Sequence, residues 1–172
     1  MKKKNTLFYF LSALLAVAAV ALDQWTKYLT IRRFPTPGLA ENYAPGIKGI
    51  FHITHIANDG GAWGSFGGHT WLFLLVMVLF IVLSVFAIWK KWLSKKLEWI
   101  CLAAIMGGGI GNVIDRIFRD GKVTDMICLD FINFPVFNVA DCFITCGSIA
   151  LMIYVLFFDR EKKEEPKAEP EE

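Results

Sequence analysis

Two aspartates near the end of the chain have the residue type and the spacing to act as a catalytic pair. Asp125 and Asp141 each border an apolar segment, and they lie on either side of one turnaround. A charged side chain within a membrane costs about 2.5–3.5 kcal/mol on insertion scales, so an acid there is a functional candidate. Two carboxylates held close together titrate as a pair, in which one is protonated while the other is ionised. Such a pair can deprotonate a water and protonate a leaving amine, which is peptide hydrolysis without a metal or covalent intermediate.

The distribution of charge predicts that these acids belong to a membrane protein. The chain has 172 residues, of which 55% are hydrophobic and 20% are charged, and the charges gather between long apolar segments. A helix that crosses a membrane needs about 20 mostly apolar residues. We predict four spans, at about 6–28, 71–89, 97–116 and 138–158. The predicted fold class is therefore an all-α membrane protein, a bundle of four transmembrane helices.

The first apolar segment has two interpretations. It follows Lys2, Lys3 and Lys4, as the apolar region of a secretory signal peptide would. It is longer than such a region usually is, and it passes into Asp23 and Lys27 with no small-residue cleavage site. We interpret it as a retained span.

Orientation follows from the distribution of lysine and arginine. Eleven of the 18 basic residues lie before the first span, in the loop at 90–96 and in the tail after Asp159. The positive-inside rule therefore places both termini in the cytoplasm and the regions at about 30–70 and 118–136 outside. The outer region at about 34–66 combines turn residues with the run 49–56, which favours a small extracytoplasmic β-element. We predict one integral membrane domain over 1–160 and a disordered, mixed-charge tail at 161–172.

Further polar residues are expected at the depth of the two acids, where the spans meet the outer membrane surface. Asp23 and Lys27 are one helical turn apart, and so are Asn112 and either Asp115 or Arg116, and Asn138 and Asp141. Asp23 and Lys27 alternatively form a simple interfacial ion pair. Asp115 either pairs with Lys27 or caps its helix.

Histidine and cysteine offer weaker signals. His52 and His55 alternate with apolar residues in an apparent strand, so we interpret them as sheet or surface positions rather than ligands. Cys142 and Cys146, one turn apart on a span, are interpreted as small core residues, and no zinc-ligand spacing or other cofactor motif is present. A net charge of +2 gives no argument for a nucleic-acid partner.

Five motifs, in order along the chain, resemble those of the signal peptidase II family of lipoprotein signal peptidases. They are Asp23-Gln24-Trp25-Thr26-Lys27, Asn58-Asp59-Gly60-Gly61-Ala62-Trp63-Gly64, Gly108-Gly109-Ile110-Gly111-Asn112-Val113-Ile114-Asp115-Arg116, Val123-Thr124-Asp125-Met126-Ile127 and Phe137-Asn138-Val139-Ala140-Asp141. Gly61 stands where the family has alanine and Met126 where it has phenylalanine, which affects the rim of the site rather than its chemistry.

The resemblance implies a bacterial aspartic endopeptidase of the cytoplasmic membrane whose active site faces outward. It implies that Asp125 and Asp141 are catalytic and that the substrate is a prolipoprotein with a diacylglyceryl-modified cysteine, cleaved just before that cysteine. It further implies that Asp23 and Lys27 support the site, and that a second group shapes the substrate site: Asn58, Gly60, Asn112, Arg116, Asn138 and Ala140. We expect a monomer in contact with membrane lipid and no cofactor or metal.

Two other functions fit parts of the pattern. A small proton-coupled transporter could use Asp115, Asp125 and Asp141 as a relay, but a relay should place acids at several depths. A non-enzymatic membrane partner protein would leave the pair of acids unexplained.

Overall fold

The computed structural model describes residues 2–61, 65–90, 92 and 95–158. These form, in chain order, α1 (Lys2–Arg33), β1 (Ala44–Ile47), β2 (Phe51–Asn58), α2 (Thr70–Trp89), α3 (Lys96–Phe118), β3 (Val123–Leu129) and α4 (Val139–Phe157). All four helices are long and apolar enough to cross a membrane. The predicted four-helix bundle with a small β-element is confirmed, while the tail predicted at 161–172 lies outside the described residues.

The bundle is polar inside and apolar outside, as expected of a protein whose surroundings are hydrocarbon. The largest fully buried side chains are Lys27, Asn138, Asp23 and Asp115. Large apolar side chains are exposed instead, as along α2 at Val76, Leu79, Val82, Leu83 and Val85. In water this arrangement would expose much apolar surface and bury charge at a high cost, whereas lipid solvates the same apolar surface.

Helix α3 lies at the centre and packs against the other three helices. Its glycines allow close approach, because a Cβ atom at Gly107 would meet Ala16 and Ala19 of α1, and one at Gly108 would meet the carbonyl of Ala140 in α4. Small residues of this kind let backbones approach within membranes. Helix α3 therefore fixes the distance between α1 and α4, which carry polar residues of the site.

The three strands form one antiparallel sheet in the order β1-β2-β3. Strand β2 pairs with β3 through Ile56 opposite Asp125 and Asn58 opposite Val123. Strands were predicted only in the region before α2, and Asp125 was expected beside a turnaround rather than within a strand, so β3 was missed. Its segment is short and interrupted by the acid, and it becomes a strand by pairing with a distant part of the chain, which local pattern does not show.

Candidate active site

Strand β3 presents Asp125 from the sheet toward the helices. The residue is 3% exposed. Because β2 runs antiparallel beside it, Asn58 at the end of β2 is close enough for its Nδ2 to donate to Asp125 Oδ2 at 2.9 Å. The Oδ1 atom of Asn58 accepts from the backbone N–H of Gly60 at 2.9 Å, which fixes the orientation of this amide.

The start of α4 is brought to β3 by a short pairing of the backbone. Phe137 and Ile127 exchange hydrogen bonds of 2.8 and 3.1 Å. Asn138 then caps α4: its Oδ1 accepts from the N–H of Asp141 at 3.0 Å, and Asp141 Oδ2 accepts from the N–H of Asn138 at 3.2 Å. The reciprocal bonds form a capping box, which places the Asp141 carboxylate at the positive end of the helix dipole.

One residue connects the two acids. Asn138 Nδ2 donates to Asp125 Oδ1 at 2.7 Å, while its backbone N–H donates to Asp141 Oδ2. The carboxylates expected from the sequence to come together therefore bind the same asparagine. Asn112 of α3 adds a bond from its Nδ2 to Asp141 Oδ1 at 2.8 Å.

Burial changes the acidity of Asp125. Loss of water and the negative charge of Asp141 raise the pKa of this carboxyl from 3.8 to about 6, although the hydrogen bonds from Asn58 and Asn138 and the charge of Lys27 act in the opposite direction. A carboxyl with this pKa exchanges its proton near neutral pH, as general acid–base catalysis requires.

A group of buried charges lies behind the acids. Lys27 Nζ is 2.8 Å from Asp23 Oδ2 and 3.1 Å from Asp115 Oδ2, and all three side chains are fully buried. Arg119 Nη1 is 2.9 Å from Asp115 Oδ1. Arg119 is partly exposed, and with it the two cations and two anions cancel, so the group carries no net charge. Of the two sequence interpretations of Asp115, pairing with Lys27 is confirmed.

These charges also fasten the start of α4. The backbone N–H of Ala140 donates to Asp23 Oδ1 at 2.9 Å, and the N–H of Thr124 in β3 donates to Asp115 Oδ2 at 2.9 Å. The group therefore holds the backbone next to each of the two candidate catalytic acids. Asp23 and Lys27 form more than the interfacial ion pair that was the other interpretation.

Arg116 ties the segment after β2 to α3. Its Nη2 donates to the carbonyl of Gly60 at 2.6 Å and its Nη1 to the carbonyl of Gly121 at 2.9 Å. The guanidinium lies over the ring of Phe73 in α2, 3.9 Å from the ring centre, a cation–π contact.

The acids face a cavity of about 820 Å³ between α2 and α4. Its polar end is lined by predicted site residues, namely Asn58, Gly60, Asn112, Arg116, Asp125 and Asp141. Its apolar part is lined by Val76, Met77, Phe80, Ile105 and Ile144, among others. A cavity of this size, apolar with a few convergent polar groups, is typical of a ligand site.

The structure brings all the predicted site residues into one region, in two layers. The six residues named above line the cavity. Behind it lie Asp23, Lys27, Asp115 and Ala140. Asn138 is also buried, and its hydrogen bonds go to three of the cavity residues, Asn112, Asp125 and Asp141. The sequence analysis missed Arg119, Phe73 and Gln24, whose Nε2 donates to Asp115 Oδ1 at 2.9 Å. A polar residue directly after Asp23 was the available signal for Gln24, whereas nothing in the pattern distinguished Phe73 from its apolar neighbours.

The predictions for the histidines and for the cysteines have different outcomes. His55 is buried in β2 with its Nδ1 2.6 Å from the carbonyl of Phe34, and His52 is in the same strand, so both occupy the predicted sheet positions. The interpretation of Cys142 and Cys146 as core residues is wrong, because both are exposed and line the cavity. Within the described part of the chain, no group of three His, Cys, Asp or Glu side chains could hold a metal ion.

Known proteins are similar to this chain in sequence and in architecture. A family model described as signal peptidase (SPase) II matches residues 15–157. The lipoprotein signal peptidase of Geobacillus thermodenitrificans (strain NG80-2) is 42% identical over 152 residues, covering 87% of this chain and 92% of the relative. That of Enterococcus faecalis (strain ATCC 700802 / V583) is 36% identical over 166 residues, covering 95% and 96%.

Two solved structures are similar to this chain in fold. A bacterial membrane enzyme determined by the in meso method at 2.3 Å resolution superimposes with a TM-score of 0.78 and 31% identity, covering 92% of this chain and 94% of its own. A second, at 1.9 Å resolution, gives a TM-score of 0.74 and 30% identity, covering 86% and 93%. The chain therefore belongs to the signal peptidase II family, the membrane proteases that process the signal peptides of lipoproteins.

Proposed function

We propose that this protease is an aspartic endopeptidase that cleaves prolipoproteins just before their diacylglyceryl-modified cysteine, with Asp125 and Asp141 as its catalytic residues. The observation that carries the proposal is the pairing of the two carboxylates through Asn138 at the polar end of a cavity between α2 and α4.

Hydrolysis by this pair needs one shared proton. The ionised carboxylate removes a proton from a water, whose oxygen attacks the carbonyl carbon of the scissile bond. The protonated carboxyl gives its proton to the carbonyl oxygen, and a tetrahedral diol forms. A proton then passes from the first carboxyl to the nitrogen as the carbon–nitrogen bond breaks, while the second recovers its proton from the diol. The products are a carboxylic acid and an amine, and the pair returns to its starting state.

The cavity suits a substrate that is anchored in lipid. Along α2 its wall runs from Phe73 to Phe80. At a rise of 1.5 Å per residue this is about 10 Å along the helix. A diacylglyceryl group on the cysteine would hold the scissile bond at the membrane surface, beside Asp125 and Asp141, while apolar parts of the substrate occupy the deeper wall.

Arg116 and Gly60 support the rim of the substrate site in this proposal. The Arg116 guanidinium holds the Gly60 carbonyl, and both residues line the cavity. The rim therefore keeps its shape through a charged hydrogen bond to the backbone, which is stronger than a neutral one.

The proposed orientation places both termini in the cytoplasm and the acids at the outer membrane surface, with the enzyme acting as a monomer. It is supported by the basic residues at the start of α1 and around 90–96. The apolar wall below the acids, formed by Val76, Met77 and Phe80, supports a protease over a proton relay, which would continue as polar groups across the membrane.

The decisive experiment offers the purified protein two peptides of one prolipoprotein sequence, with and without the diacylglyceryl group on the cysteine. Mass spectrometry of the products reports the bond that is cut. We expect cleavage of the modified peptide only, before the modified cysteine. Equal cleavage of both peptides, or cleavage at another bond, would reject the proposed substrate.

A further inference from the structure

The buried ammonium group of Lys27 has three N–H donors, and three oxygen atoms accept from them. Besides Asp23 and Asp115, Nζ contacts Asn112 Oδ1 at 2.9 Å. An ammonium carries three N–H bonds, so each acceptor uses one and the group has no donor left. Since Lys27 is also fully buried, it does not reach a substrate in the cavity, and it acts on the two acids through a neighbour and through its charge, which lowers the pKa of Asp125.

Asn112 is the neighbour that reaches the reacting groups. Its Oδ1 accepts from Lys27 Nζ and from Asn138 Nδ2 at 3.1 Å, and its Nδ2 donates to Asp141 Oδ1 at 2.8 Å. Rotating the amide by half a turn would place an NH₂ group against an ammonium and an oxygen against a carboxylate. Both contacts would be repulsive, so the charge of Lys27 holds the amide nitrogen toward Asp141, in the same direction as the bond from Asn138 Nδ2.

The two acids differ in the element that carries them and in the groups that donate hydrogen bonds to them. Asp141 is in the first turn of α4 and receives the N–H of Asn138 as well as the oriented amide. Asp125 is in a strand and receives the side-chain amides of Asn58 and Asn138. The charged groups facing Asp141 are Asp125 from β3 and Arg116 from α3, with the Cys142 thiol beside it on α4. Donors and a helix N-terminus favour the ionised form of a carboxyl.

We propose that Lys27 is a positioning residue that locks the amide of Asn112 toward Asp141 and thereby keeps Asp141 as the ionised, proton-accepting member of the pair. Asp125 is then the member that holds the shared proton. The raised pKa of Asp125, about 6, agrees with this assignment. The inference rests on the proposed function, since it assigns roles within the proposed catalytic pair.

The test is the pH dependence of kcat/KM with the diacylglyceryl-modified peptide. The acidic limb of this profile reports the group that must be ionised. In Asn112→Leu and in Lys27→Met we expect that limb to move to higher pH by about one pH unit, the size of one lost hydrogen bond to a charged group. The limb of the double variant should equal that of Asn112→Leu alone, because Lys27 acts through Asn112.

Asp23→Asn is the matched control, because it removes an ion-pair partner of Lys27 and leaves the contact with Asn112. It should lower activity or folded yield without moving the limb. If Lys27 acted only as a buried charge, Asp23→Asn would move the limb to lower pH and Lys27→Met would move it to higher pH, and a limb that moves in Asp23→Asn would overturn the proposal. Should Lys27→Met not fold, Asn112→Leu still tests the proposal, because an unmoved acidic limb in that variant would show that the Asn112 amide does not act on Asp141.

Failure of this inference is distinguishable from failure of the proposed function. An unmoved limb in variants that cleave the modified peptide overturns the role of Lys27 and leaves the peptidase intact. A natural chain that leaves the modified peptide uncut overturns both.

Discussion

Replacing Gly108 by alanine tests whether the close approach of α3 and α4 sets the active-site geometry. The added Cβ would meet the carbonyl oxygen of Ala140, and it would lie 2.9 Å from Ile144 Cγ1 and 3.2 Å from Ile144 N. Carbon atoms pack at about 3.5–4.0 Å. The Ile144 side chain can rotate, but the carbonyl of Ala140 belongs to the first turn of α4. That turn must therefore move by about 1 Å.

The displaced turn carries Asp141, whose bonds to Asn112 and Asn138 would lengthen. A misplacement of about 1 Å costs on the order of 10²-fold in rate, so kcat should fall by about that factor. Overpacking costs about 1–3 kcal/mol, against which alanine regains about 1 kcal/mol of helix propensity. Thermal unfolding should show a net loss of about 0–2 kcal/mol.

Gly109→Ala is the control for stability. Its Cβ would meet only the thioether end of Met77, which is flexible, so the gain in helix propensity should persist and stability should be equal or higher. Cleavage by Gly108→Ala at the natural rate, or a higher unfolding temperature for Gly108→Ala than for Gly109→Ala, would refute the reasoning.

Three further predictions concern Asp125, its donor Asn58, and a surface pair. Because the pKa of Asp125 is about 6, its protonated fraction falls as the pH rises through that value, so kcat/KM should decline about tenfold per pH unit above pH 6; a flat profile to pH 9 would contradict it. Asn58→Ala removes a donor that lowers this pKa, so the alkaline limb should move to higher pH while kcat falls; movement to lower pH would refute the assignment. Asp130→Asn breaks a partly exposed pair with His52, so unfolding should change by less than about 1 kcal/mol and cleavage should stay as it was; a large loss of activity would show that the sheet edge acts in catalysis.

The helices were predictable because lipid imposes a simple rule. A span must satisfy its backbone internally and present apolar side chains outward, so long uncharged segments identify helices directly. The end of α1 was less predictable: the helix runs to Arg33, beyond the expected residue 28. Arg32 and Arg33 lie outside the apolar run, but the backbone hydrogen bonds of the helix continue as far as these residues.

Most residues of the site could be predicted from the sequence, but the contacts between them could not. Asp23, Lys27, Asn112 and Asp115 stood out because polar groups in apolar segments are costly. Their partners depend on contacts between distant parts of the chain, such as Ala140 N–H with Asp23, which no local pattern contains. The same limit explains why β3 was missed, since its hydrogen bonds come from β2.

Cys142 and Cys146 show a different limit. Helical spacing indicates that the two side chains share a face, but not whether that face meets another helix or a cavity. Here α2 and α4 leave a gap, and both thiols line it.

The central claim is that Asp125 and Asp141 together perform hydrolysis at one polar site. Its most direct test measures kcat for Asp125→Asn and Asp141→Asn on the diacylglyceryl-modified peptide, with folded protein verified by thermal unfolding. We expect each single variant, and the double variant, to lose activity to the same background level, because the two groups act as a unit. Turnover at the natural rate by either folded single variant would contradict the account.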